Sequence, residues 1–277
     1  MRELLLATLV AVSACSGDTS VPVEPACNPL GAGPCMTPWP SSVFEVDDPR
    51  TDTGRRLAIP AGALPRTANL TALDPAGWNL ADGFSPAAAL VMAWRGGVAA
   101  AGLPAPGDAG DSLTTESPTL IVDMTTGERV AHAVELGAPP ADPAAAQAML
   151  LRPSARLVGG HRYAAGITTR VRAADGSELA VPTGFAALRD HKSTDHELLE
   201  AMRPRFAEVL EALEAAGAPA DELVVGWDFT VAAAPAPRPD PTAARDRAIL
   251  ASAAYADPID LLMAQSLLEM RPAPDSE

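Results

Sequence analysis

Aromatic side chains are scarce in this 277-residue chain, at 4%: five Phe, four Trp and two Tyr must anchor whatever core it builds. The 48% apolar content leans on alanine, so that core is thin for its length. Positive charge is scarce too. Twenty Lys and Arg against 35 Asp and Glu leave a formal charge of -15, which excludes nucleic acid as a partner, because binding a phosphate backbone requires clustered cations. No Gly-x-Ser-x-Gly elbow occurs, so the strained turn that projects a hydrolase serine is missing. What is plentiful is punctuation. Twenty-eight prolines and 21 glycines, spread widely, argue for short elements joined by turns rather than long helices.

The N-terminus carries the sharpest signal. Arg2 is followed by an apolar run from Leu4 to Val12 and then by Val12-Ser13-Ala14-Cys15, small residues closing on a cysteine. The run is too short to span a bilayer. This arrangement resembles the signal of bacterial lipoproteins. The resemblance implies that residues 1–14 are removed, that Cys15 is acylated, and that the protein is lipid-anchored in the cell envelope. Ser16, where enteric lipoproteins retained at the inner membrane carry aspartate, implies the outer membrane. The alternative, an ordinary secretory signal with an incidental cysteine, leads to the same side of the membrane.

With Cys15 assigned, Cys27 and Cys35 remain as an even pair in an oxidising compartment, separated by a Gly- and Pro-rich loop, and are expected to form a disulfide. Residues 15–26 are small, polar and Pro-containing, as expected of a flexible tether, which places the start of the fold near Cys27.

Beyond the tether, short apolar runs alternate with turn residues. Thr119 to Asp123 reads as a strand, Thr126-Gly127 as a turn and Arg129 to Leu136 as its hairpin partner. Ala148 to Leu151 reads as a strand stopped by Pro153. Arg162 to Val171 has period two, and Asp175-Gly176 marks a tight turn. From Thr194 the period changes to helical. Leu199, Met202, Phe206, Val209, Leu210 and Leu213 share a face, Thr194 and Glu197 stand in capping-box positions, Pro204 predicts a kink or second start, and Gly217 a stop, giving a helix over 194–216. Leu223 to Val231 then reads as a closing strand. The Pro-rich segment from 233 opens a linker and tail with helical patterns near 241–254 and 258–270.

The stretch Leu157 to Tyr163, then Ala174 to Leu179, then Phe185 as a final strand, resembles the last strands of bacterial Ig-like domains. Across residues 27–232 several phrases together are similar to the N-terminal β-sandwich region of exported bacterial virulence-factor-lipase-like proteins. They are Cys27-Asn28-Pro29-Leu30, Pro38-Trp39-Pro40-Ser41 with Phe44, Thr53-Gly54-Arg55-Arg56-Leu57, Trp78-Asn79, Asp82-Gly83-Phe84-Ser85-Pro86 and Trp227-Asp228-Phe229-Thr230-Val231. In that family a catalytic α/β-hydrolase domain follows. The 45 residues after Ala232 leave no room for one.

The candidate chemistry is sparse. His132, His161, His191 and His196 read as surface or structural residues, and a zinc site from His191, Asp195 and His196 lacks a further strong ligand. The acidic run Asp47-Asp48-Pro49-Arg50-Thr51-Asp52 lacks the glycine and glutamate of a calcium loop and reads as a turn. Trp39, Trp78, Trp94 and Trp227 read as core anchors rather than a carbohydrate platform. The expectation is therefore a mainly β, Ig-like antiparallel sandwich over 27–232 with an added helix and closing strand, followed by a helical tail. Its expected role is that of a non-catalytic accessory or binding domain with no cofactor and no metal, partnered by the membrane and by an envelope protein, lipid or glycan. The alternative is an esterase or lipase-type hydrolase whose site is unrecognised or lies outside this chain.

Overall fold

A computed structural model describes residues 18–233, except 67, 68 and 143. Cys15, the expected leader and the two expected C-terminal helical patterns lie outside the described residues.

Among the described residues, eight strands and two α-helices follow one another in the order β1 (Glu45–Asp47), β2 (Arg55–Leu57), β3 (Leu90–Arg95), β4 (Thr119–Asp123), β5 (His132–Leu136), β6 (Ala146–Pro153), β7 (Arg162–Thr168), α1 (Thr183–Arg189), α2 (Glu197–Ala215) and β8 (Leu223–Thr230). The fold is mainly β and every strand pairing is antiparallel. β1 and β2 form a ribbon; the other strands form two three-stranded sheets, β3-β6-β5 and β4-β7-β8.

The expected hairpin at 119–136 is half right. The chain turns after β4 with Gly127 at φ 77°, and Arg129 pairs beside Val122. It then leaves, and β5 pairs with β6 in the other sheet, His132 opposite Pro153 and Leu136 opposite Met149. A buried joint marks the departure. His132 Nδ1 donates to the Val130 carbonyl at 2.9 Å, so Nε2 is the acceptor for the Thr119 hydroxyl at 2.9 Å. That satisfied neutral ring cannot be charged without cost, and burial pushes its pKa down to about 4.

α2 packs on β4, β7 and β8. Its buried stripe is Leu199, Met202, Phe206, Val209 and Leu213, the face that the spacing predicts. One helix runs through Pro204, with no second start. The proline is exposed, so its ring stands in solvent, and burial of the opposite stripe outweighs the one missing N–H. The capping residues differ from the expected box. Thr194 bonds Glu200 Oε1 through both its N–H, at 2.7 Å, and its hydroxyl, at 2.6 Å, one turn beyond Glu197. Close approach of α2 to the sheet is possible because Gly226 and Gly166 lack side chains: a Cβ at Gly226 would stand 2.9 Å from Leu213 Cδ1.

Two further expectations change. Phe185 lies on α1, not on a strand; its ring is buried and packs edge-on against Phe206 of α2 at 5.9 Å. Part of the segment read as a tether is docked on the domain. Thr19 accepts from the Asp195 N–H and donates to the Ser193 carbonyl, Val21 N–H donates to Asp195 Oδ1 at 3.0 Å, and the Val21 side chain is buried. The small, Pro-containing composition hid two valines, Val21 and Val23, which pack against the core.

Candidate functional site

The most heavily built polar feature is a buried charge network where β1, β7, β8 and α2 meet. Asp228 interrupts the apolar run of β8, and its side chain is 1% exposed; Glu45 of β1 is 0% exposed. Asp228 Oδ2 accepts from Arg162 Nε at 2.6 Å and Arg205 Nε at 2.7 Å, while Oδ1 accepts from the Ser42 hydroxyl at 2.5 Å. Glu45 Oε1 accepts the Thr230 N–H at 2.6 Å, and Oε2 accepts from Thr230 Oγ1, Arg205 and Arg55 at 3.0 to 3.3 Å. Arg162 also pairs with Glu208, and Arg55 with Asp47.

Burial pushes the Glu45 carboxyl above its usual range; Arg205, the Thr230 N–H and Arg55 pull it back, and neighbouring Asp228 pushes it further up. Every carboxylate oxygen already accepts from a fixed donor, which makes the cluster a clamp rather than a proton-transfer site. It ties Glu45 to Thr230 across 185 residues of chain. The sequence reading missed this cluster. Its only visible signal is Asp228, a charge inside an apolar strand.

A second constellation joins Asp123, at the end of β4, to His161, in the turn before β7. His161 Nδ1 donates to Asp123 Oδ2 at 2.7 Å, and Asp123 Oδ1 accepts from Thr125 N–H at 2.9 Å. Tyr163 stacks beside them, its hydroxyl accepting from Val158 N–H at 2.8 Å; burial first, and then the Asp123 charge, pushes it up to about 12. An oriented acid–histidine pair is two-thirds of a nucleophilic triad. Among the described residues no hydroxyl or thiol hydrogen-bonds His161 Nε2.

The remaining residues singled out by sequence divide clearly. Cys27 and Cys35 are disulfide-bonded, and Asn28 braces their loop through Leu30 N–H and the Pro38 carbonyl. Asp48 of the acidic run grips Arg50 at 2.8 Å and Arg56 at 3.0 Å, which holds its carboxyl well below the usual range. His191 is exposed with φ 55°, and His196 caps α2 with its Nδ1 buried and unbonded. Among the described residues no group of three His, Cys, Asp or Glu could hold a metal ion, and no helix is long and apolar enough to cross a membrane. Trp94 and Trp227 are buried and Trp39 is partly buried against Phe44 and Phe84. Trp78 is different, with half its surface in solvent.

Two surface clefts flank these elements. One, of about 390 Å³, lies beside Arg162 and Glu208 between α2 and the end of β4; the other, of about 430 Å³, is lined by Trp94, Arg95, Asp175 and Glu178. Neither brings a nucleophile, a base and an oxyanion donor together among the described residues. No protein-family model matches the chain, and no curated protein matches it.

Proposed function

We propose that this chain is an exported, lipid-anchored, non-catalytic accessory domain of the bacterial cell envelope, held at the outer membrane through Cys15 and binding an envelope protein, lipid or glycan. The observation that carries this reading is the lipobox Val12-Ser13-Ala14-Cys15, followed within four residues by Thr19, where the chain is already hydrogen-bonded to the domain. The clamp around Asp228 and Glu45 supports a structural use of the strongest charges. In this reading the two three-stranded sheets are the layers of an Ig-like sandwich, as in the N-terminal region of virulence-factor-lipase-like proteins. Two features support that geometry: β5 leaves the side of one sheet to join the other, and Trp39, Phe84, Phe229 and Tyr163 form a chain of ring contacts at 4.9 to 6.3 Å. Labelled palmitate supplied to expressing bacteria should enter the wild-type protein and not Cys15→Ala; equal labelling of both would refute the anchor.

The second reading, an esterase-type hydrolase, is favoured by one observation, the oriented Asp123–His161 pair. It requires short-chain ester hydrolysis by the purified chain that falls at least 100-fold, as an order of magnitude, in His161→Ala. Absence of hydrolysis leaves the accessory reading in place.

A further inference from the structure

We infer that the surface formed by the N-terminal segment from Thr19 and residues 59–66 and 69–80 rests on a lipid bilayer, with Trp78 and Leu80 at the headgroup level. The inference rests on the lipid-anchor reading and adds to it the face presented to lipid.

Tether length comes first. Cys15 and Thr19 are four residues apart, a span of at most ~14 Å when fully extended. A domain of about 216 residues has a radius of gyration of about 17 Å. The link is therefore shorter than the body it holds, and only surface near the docked segment can reach the membrane. From Thr19 the segment is fixed on the domain by Ser193 and Asp195, and Val21 is buried.

The same segment leads to the loop layer. Ala26 packs on Gly62, its methyl 3.1 Å from where a Gly62 Cβ would stand. Beyond Gly62, Ile59 is held from both sides by Asn79, whose Oδ1 accepts Ile59 N–H at 2.8 Å and whose Nδ2 donates to the Ile59 carbonyl at 3.0 Å. Asn79 belongs to the short 3-10 helix Pro75–Leu80, which opens on an Asp74 cap to Ala76 N–H and closes beside β2, with Leu57 N–H donating to the Ala81 carbonyl. The residues on either side of Asn79, Trp78 and Leu80, are 51% and 69% exposed, and Leu70 in the preceding loop is 72% exposed.

In a chain with so few aromatic residues, an exposed Trp beside an exposed Leu on a braced turn is a costly surface for water and a good one for a membrane interface. There an indole places its ring in the acyl boundary and its N–H among the headgroups. The brace supplies the rest of the argument: Asn79 fixes the turn, so both side chains project from a rigid base and lose little entropy on insertion.

The test uses the protein's own fluorescence. Trp94 and Trp227 are buried and Trp39 partly so, which makes Trp78 the most exposed of the four indoles, and the difference between wild type and Trp78→Phe isolates its signal. With Cys27 and Cys35 disulfide-bonded, Cys15 is the remaining thiol of the chain. Protein beginning at Cys15, the mature form in this reading, is coupled through that thiol to maleimide headgroups on phosphatidylcholine vesicles with brominated acyl chains, in parallel with Trp78→Phe. Bromolipid quenching roughly twofold greater for wild type than for Trp78→Phe, with acrylamide quenching reduced on vesicles, is the expected result for an indole at the interface. Equal quenching of the two proteins overturns the assignment of this face. The mass of Cys15 in protein isolated from bacterial envelopes reports separately on the anchor. An unmodified Cys15 with strong Trp78 quenching overturns the anchor reading and keeps the face; an acylated Cys15 with unquenched Trp78 does the reverse.

Discussion

The two three-stranded sheets differ in how their strands are covered, and the difference can be traced to α2. In β8 all eight residues are buried, and in β7 all but Arg162 are, because α2 covers one face of this sheet while core residues pack against the other. β6, at the centre of the other sheet, alternates buried and more exposed residues along its length. A sheet covered on both faces is built from nearly continuous apolar runs, and a sheet with one wet face alternates. A charged group in the doubly covered sheet needs partners far more than a neutral one does: the Trp227 indole Nε1 on the same strand is buried without a hydrogen-bond partner. Asp228 lies there, and its three donors are the consequence.

Three measurements would break or sharpen this contrast. The largest effect is expected for Asp228→Ala, which leaves Arg162, Arg205 and Ser42 without their shared acceptor in a buried setting. Urea unfolding should show a loss of ~3–5 kcal/mol; a loss below about 1 kcal/mol would mean that Glu208 and Glu45, which still pair with Arg162 and Arg205, suffice to hold the two arginines. The second concerns His132, at the joint between the sheets. Its folded pKa of about 4 lies below the ordinary 6.5, so the unfolded chain binds the proton more readily. Stability contributed by the neutral ring is complete above pH 6.5 and is lost as the pH falls through the window from 6.5 to about 4, by roughly 3 kcal/mol. His132→Gln should flatten that slope in unfolding curves taken across the window; an unchanged slope would remove the joint from the account. The smallest effect belongs to the wet face of the other sheet. Glu135 pairs with Arg152 at 2.6 Å, but both side chains are more than two-fifths exposed. Glu135→Ala should change stability by about 0–1 kcal/mol and become neutral in high salt.

The strands legible in sequence were those whose signal is local. β8, β6 and the start of β7 were read because apolar runs end at proline or at turn residues, and α2 because five buried residues recur at helical spacing. Phe185 lies on a helix where the sequence suggests a strand, because a single ring after an Asp-Gly turn carries no period and Phe206 on α2 decides its environment. β5 was placed in the right residues with the wrong neighbour, since alternation reports faces and not partners. The polar constellations were nearly invisible. Asp123 and His161 are 38 residues apart, and Glu45 and Asp228 are 183 apart by their numbers, so no spacing rule joins them. Val21 and Val23 leave no signal in sequence because composition averaged over residues 15–26 outweighs two apolar side chains.

By itself the sequence determined what can be read over a few consecutive residues: an apolar run closing on Cys15, a close cysteine pair at 27 and 35, turn-punctuated strands and one amphipathic helix. Tertiary structure alone decided which strands share a sheet, that Asp228 and Glu45 are locked by three arginines, that the chain is fixed to the domain from Thr19, and that Trp78 stays in solvent while Trp94 and Trp227 are buried. The physical reason is range. Periodicity and turn chemistry act through neighbouring dihedrals, whereas pairing, burial and charge satisfaction depend on groups that only the folded chain brings together.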